Sequence, residues 1–352
     1  MFKDDTIITF TDSFEMKEHM IHVEGEWISK YPINHLDFRA PSEEECNSEA
    51  LRDTVLEGTG IAVEINGDIY GVRDCALQSL FRRCAISGDA LNSINKHELA
   101  ELLNLCAGTR EGKTKILITD DKISAFLSDD GNGLNYSTLP SVGIFRMTEE
   151  KIAEMIGDEP ERFYGVWTFN GIRCRWTLPK EKYLNGEDYK VQLSLSTSDV
   201  GTGAVEYAAA LVGNGKTIPI VSPVKVTHRL ASQSADVSEV LDMMEAMIDD
   251  SVRNIDAMDK IQIENPINCM RRIMKFVKLP HAKSLEVIED YEKSYDGNGD
   301  NARNLYLKIC DVVNNYASSQ SNMLYQNVVR NNVLKVKGID WKKYDLPGTF
   351  SW

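Results

Sequence analysis

Two-residue turns punctuate the first two thirds of the chain and constrain its fold more than any other feature. Asn66-Gly67 separates IAVEI from DIYGV, and Asn-Gly is favoured where both central residues of a hairpin turn need positive φ. Asp120-Asp121 divides KILIT from KISAFL in the same way. Pairing Thr119 with Lys122 there sets Ile116, Ile118, Ile123, Ala125 and Leu127 on one face of a half-buried sheet. Asn170-Gly171 lies between FYGVWTF and IRCRWTL. With Phe169 opposite Ile172, the residues Trp167, Phe169, Ile172, Cys174 and Trp176 share a face, and Arg173 and Arg175 stand on the other beside Tyr164 and Val166. Strands over 188–197, 203–212 and 217–228, the last two joined at GNGK, extend the sheet.

Helical spacing interrupts this pattern and then replaces it. RDCALQSLFRRCAI and SINKHELAELLNLC each repeat apolar residues at three and four positions, which predicts two amphipathic helices across the sheet. MTEEKIAEMIG predicts a short helix capped by Thr148 and ended by Gly157. From Ala235 onward strand signals cease. Val237, Leu241, Met244, Ile248, Val252 and Ile255 form one apolar stripe, with Asp and Glu opposite. Further helices are expected near 267–278, 299–317 and 319–335, with breaks at Leu279-Pro280 and DGNGD and a Gly- and Pro-containing tail. The pattern is α+β: a mostly antiparallel sheet region with packed helices, followed by an all-helical C-terminal region. It divides into an N-terminal extension over 1–55, an α+β sheet domain over 56–232 and a helical region over 233–352, which 352 residues can supply.

Composition excludes several classes of function. No apolar run approaches a membrane span, and MFKDDTIITFTDSFEMKEHM lacks the apolar core of a secretory signal, so no membrane partner is expected and the chain should stay where it is made. Seven scattered cysteines without a CxxC pair point to idle thiols in a reducing cytosol. A net charge of −15 argues against a body coated with cations for duplex DNA, although a local basic groove remains open to it.

The motifs for chemistry mostly fail on their own spacing. DGNGD places Asp296, Asn298 and Asp300 as a calcium loop would, but Asn301 stands where Gly is needed and Leu307 where a bidentate Glu is needed. SDDGNG at 128–133 fails alike, and His19 and His22 lack a third ligand, so no metal and no cofactor are expected. No GxSxG is present. Ser198, Asp199 and His228 could be drawn together by strand pairing, which leaves an enzyme as one open reading. Gly201-Thr202-Gly203 lacks the Lys-Ser/Thr of a phosphate loop. The cations are more suggestive: Arg173 and Arg175 share a strand face, and Lys216, Lys225 and Arg229 lie on or beside the strand after GNGK. Spaced cations with aromatic neighbours suit single-stranded nucleic acid.

The stretch from Ser198 to His228 resembles the phage- and plasmid-encoded proteins grouped as domain of unknown function 932. Ser198, Asp199, Gly201 and Thr202 match a Ser-Asp/Glu-x-Gly-Thr/Ser turn, Asn214 and Gly215 part of a Cys-Asn-Gly turn, and His228 the closing His, with Gly213 in the place of the Cys. The resemblance spans roughly residues 60–260, lacks the N-terminal Trp-His-x-Leu-Gly signature, and implies a mobile element in a bacterial cytoplasm without implying an activity. The leading expectation is therefore a non-catalytic accessory protein that holds single-stranded nucleic acid at Arg173, Arg175, Lys216, Lys225 and Arg229. Two alternatives stand beside it. One is an acidic counter-defence or regulatory factor acting on a host protein or forming a homo-oligomer; the other is an enzyme using Ser198, Asp199 and His228.

Overall fold

The computed structural model describes residues 5–88, 91, 93–130, 136–157, 159–228, 234–319, 323–348 and 350. One sheet is wholly antiparallel and runs β1 (Ile8–Phe10), β8 (Arg162–Thr168), β9 (Gly171–Leu184), β10 (Glu187–Thr197), β11 (Val205–Gly213) and β12 (Lys216–Val226). The second runs β2 (Glu26–Pro32), β6 (Lys113–Thr119), β7 (Lys122–Ser128), β5 (Asp68–Val72), β4 (Ala62–Ile65) and β3 (Asp37–Arg39), antiparallel except where β5 meets β7. The segment before residue 56 thus supplies β1 to one sheet and β2 and β3 to the other.

Turn chemistry accounts for most of the strand pairing. Asn66-Gly67, Asp120-Asp121, Asn185-Gly186 and Asn214-Gly215 all take positive φ at both central residues, which matches the twist of the strands they join. Asn170-Gly171 behaves differently. Trp167 pairs with Ile172 and Thr168 with Gly171, so the turn residues are Phe169 and Asn170. The slip of two residues from the expected register keeps the alternation, because strand faces repeat every second residue. Trp167, Ile172, Cys174 and Trp176 still share a buried face. Gly171 itself has φ 137°, and a methyl group there would overlap the Thr197 carbonyl oxygen, so close backbone approach is what requires glycine.

The β6–β7 hairpin turns where expected, with Thr119 opposite Lys122, but its faces do not divide as expected. The register shifts after Ile118, which pairs with Ile123, so that Leu117 meets Ala125 and Ser124 is left over. This bulge sends Leu117, Ala125 and Leu127 into one core and Ile116, Ile123 and Phe126 into another. The sheet is therefore buried on both sides. Helices α3 (Asp74–Cys84) and α4 (Lys96–Gly108) cover the second core through Leu80, Leu103 and Ala107, and α2 (Glu49–Glu57) packs on β5.

The larger core fills the inner face of the antiparallel sheet, under α1 (Ser13–His22), α5 (Ser141–Ile156) and α6 (Ser234–Ala257), and continues into the C-terminal helices through residues such as Ile273, Leu305, Ile309 and Val333. The α6 stripe Val237, Leu241, Met244, Ile248, Val252 and Ile255 is buried as its period predicts. Helix α5 starts seven residues before Thr148, at Ser141, so Thr148 is not its cap. It is a buried mid-helix residue whose hydroxyl lies 2.8 Å from the Ile144 carbonyl oxygen and 2.7 Å from the Tyr207 hydroxyl. Gly157 does end the helix, in the left-handed conformation.

The C-terminal helices are α7 (Pro266–Phe276), α8 (His281–Ser294), α9 (Ala302–Ser319), α10 (Met323–Leu334) and α11 (Trp341–Tyr344). The stretch between the Leu279-Pro280 and DGNGD breaks is thus itself a helix. DGNGD closes as a turn on Asp296 and ends in a two-residue ladder of β13 (Gln262–Ile263) with β14 (Asp300–Asn301). All seven cysteines are free, so packing and hydrogen bonds hold these elements. Replacing Thr148 with Ala removes the partner of the Tyr207 hydroxyl and should cost about 1–3 kcal/mol in chemical denaturation. Tyr207→Phe should cost less once Thr148→Ala is present, a coupling that a double-mutant cycle measures.

Candidate functional site

Cross-strand register lines up the polar face of the antiparallel sheet. Arg173 on β9 stands opposite Ser196 on β10, Ser196 opposite Glu206 on β11, and Glu206 opposite Lys225 on β12. In the next row Tyr164 on β8 faces Arg175, then Ser194, then Ala208. A sheet face of this kind is ordinarily left to solvent. Here α9 and α10 lie across it: Tyr306 donates to the Pro219 carbonyl oxygen at 2.7 Å, and Asn314 accepts from Thr217 N–H at 3.0 Å.

Between this face and α10 is a narrow cleft lined by Arg173, Arg175, Ser194, Ser196, Glu206 and Arg330 among others. Arg175 donates to Gln326 Oε1 at 3.3 and 3.4 Å and to Asn327 Oδ1 at 3.3 Å. Arg330 donates to Gln192 Oε1 at 3.4 Å from both terminal nitrogens. These are long bonds to neutral amides, and both Nε groups are buried with no acceptor among the described residues. Among the described residues no carboxylate forms an ion pair with Arg173, Arg175 or Arg330. Burial pushes the Arg175 pKa down to about 10. Burial, and then the charge of Arg175, push that of Arg330 down to about 9. Both stay charged at neutral pH, half-buried and mutually repelling, a costly state that a shared anion would relieve.

The other expected cations fall elsewhere. Lys216 and Lys225 are exposed and stand nine residues apart on β12, about 30 Å along an extended strand. Lys216 pairs with Glu187 at 3.5 Å and Lys225 with Glu206 at 2.6 Å. Arg229 lies outside the described residues. Arg330, which carries the site as much as Arg173 and Arg175, sits in a stretch read only as helix. Its spacing signal was there to find: Gln326, Asn327 and Arg330 fall on one helical face.

Ser198, Asp199 and His228 cluster without forming a catalytic relay. The Ser198 hydroxyl lies 2.7 Å from that of Thr202, and Asp199 accepts the Ser141 N–H at the start of α5 at 2.9 Å. His228 Nδ1 lies 3.2 Å from the Ser137 carbonyl oxygen. Tyr136, absent from the expected motif, joins them: its hydroxyl donates to the Ser198 carbonyl oxygen at 2.9 Å and its ring stacks on His228 at 4.8 Å. Arg82 of α3 donates to the Gly201 carbonyl oxygen at 2.9 Å. Gly201 has φ 73°, and Asn214 and Gly215 form the β11–β12 turn. The 198–203 loop thus ties the two sheets together, beside a small cavity whose wall includes Asp199, Trp27 and Trp167.

The acidic stripe of α6 is largely occupied within the chain. Asp242 pairs with Lys151, Glu245 with Lys180, Asp249 with Lys182 and Asp250 with Arg253. Among the described residues no group of three or more His, Cys, Asp or Glu is placed to hold a metal ion, and no helix is long and apolar enough to cross a membrane. Comparison with models of known protein families, with curated proteins and with solved structures finds no match for this chain.

Burial raises the Asp199 pKa from 3.8 to about 6, against the pull of the Ser141 donors. The folded chain therefore holds this proton more tightly than the unfolded one. The stability it contributes is complete below the unfolded pKa and is lost as pH rises through about 6. Asp199→Asn keeps the acceptor for Ser141 and removes the charge. The variant's melting temperature minus that of the unmodified chain should grow more positive from about pH 5 to about pH 7.5. A difference independent of pH would contradict the assignment.

Proposed function

We propose that the protein is a non-catalytic binder of single-stranded nucleic acid, with a phosphate seated in the cleft between the antiparallel sheet and α10. The observation that carries this reading is the pair Arg175 and Arg330, two half-buried guanidiniums whose side-chain partners among the described residues are neutral amides, in a chain of net charge −15. Planar guanidinium forks match phosphate geometry, and Ser194 and Ser196 add hydroxyl donors on the same wall. Tyr164, exposed and directly opposite Arg175, offers a face on which a base can stack next to that phosphate. Placing this role on a mobile element rests on the sequence resemblance of residues 60–260 alone, since no family model matches the chain. The internal pairing of the α6 carboxylates weighs against a role for that stripe in holding a basic host protein.

Titration of a labelled single-stranded oligonucleotide at two salt concentrations tests the proposal. Binding should weaken as salt rises, and Arg175→Gln should reduce affinity roughly tenfold or more while lowering the salt slope by about one phosphate contact. Absence of binding at the lower salt concentration would remove the reading.

A further inference from the structure

Resting on that reading, we infer that the cleft takes a terminal phosphate, a monoester at a strand end or on a mononucleotide, and not an internal phosphodiester. Two observations lead there, and they are independent of each other.

The first is how the cleft is roofed. Helix α10 is joined to the sheet face at two places one turn apart: Gln326 and Asn327 accept from Arg175 of β9, and Arg330 donates to Gln192 of β10. Beyond them Lys337 donates to the Ile220 carbonyl oxygen, and Tyr306 of α9 to that of Pro219. A polynucleotide continuing in both directions would have to thread beneath a helix fastened on both sides of its path. A chain end needs only the mouth. Pro219, Val221 and Leu334 make the walls apolar away from the arginines, so a second charged phosphate would lie against hydrocarbon.

The second is charge. Arg173, Arg175 and Arg330 face one carboxylate on the lining, Glu206, which is itself paired with Lys225, so the three guanidiniums leave the cleft with an excess of positive charge greater than one. A phosphate monoester carries about −1.5 to −2 at neutral pH, whereas a diester carries a single negative charge. The monoester therefore neutralises more of the cleft's charge than the diester does. The monoester also offers three terminal oxygens, enough for guanidinium donors arriving from the sheet and from the helix together.

The test uses the full chain and oligonucleotides of one sequence carrying a 5′-phosphate, a 3′-phosphate or no terminal phosphate, with a nucleoside monophosphate as competitor. One of the phosphorylated strands should bind at least about tenfold more tightly than the strand with two hydroxyl ends. Arg330→Gln should erase that difference, and circular dichroism should show the variant folded. Competition by the monophosphate at the affinity of the strand also supports the inference and assigns the ligand to the mononucleotide. Equal binding of all three strands, lost in Arg175→Gln, overturns the inference and leaves nucleic-acid binding standing. No binding of any strand overturns both.

Discussion

Covering the outer face of the antiparallel sheet is the constraint on which the rest of the structure depends. Its inner face is apolar and is filled by α1, α5 and α6. On β9 and β10 the outer face carries Arg173, Arg175, Gln192, Ser194 and Ser196, polar enough to be left to water, whereas on β11 and β12 it carries Ala208, Ala210, Pro219 and Val221. Laying α9 and α10 over it removes that water from the arginines without supplying carboxylates in return. What replaces the water is a set of amide oxygens at 3.3 to 3.4 Å, weaker partners than an ion would be. The folding of the C-terminal third therefore creates the candidate site, and the sheet alone would not.

The same logic of closure appears in the second sheet. A single bulge at Ser124 divides the β6–β7 hairpin between two cores, so α3 and α4 can cover one side while the other joins the antiparallel sheet. The loop from Ser198 to Gly203 fastens this junction through Tyr136, Ser141 and Arg82. Ser198 and Asp199 of this loop and His228 beside it are used to hold elements in place, which explains why each is turned toward a partner outside the trio.

Much of this was legible in local sequence chemistry. Turn residues that tolerate positive φ placed the hairpins at Asn66-Gly67, Asp120-Asp121 and GNGK, and periodicity placed α3, α4 and α6. What was not legible depended on packing between distant segments. The bulge at Ser124 answers to two cores at once, and Gly171 answers to the end of β10, neither of which a hairpin considered alone contains. Thr148 looked like a cap because its partner, Tyr207, lies 59 residues away. The cations at 173 and 175 were visible, but their roof was not, since α10 meets the sheet about 150 residues later in the chain. Arg330 becomes part of the site only through that long-range docking.

Half-burying guanidiniums without carboxylate partners lowers the stability of the empty protein in exchange for anion affinity, and this claim can be measured without knowing the natural ligand. Melting temperatures of the unmodified chain and of Arg330→Met, each with and without inorganic phosphate, test it directly. Without phosphate, Arg330→Met should melt higher, because it removes one of two repelling half-buried charges and keeps most of the volume. Phosphate should raise the melting temperature of the unmodified chain more than that of the variant, as linkage requires for a ligand bound only by the native state. A variant that melts lower than the unmodified chain, with no selective gain from phosphate, would contradict the account.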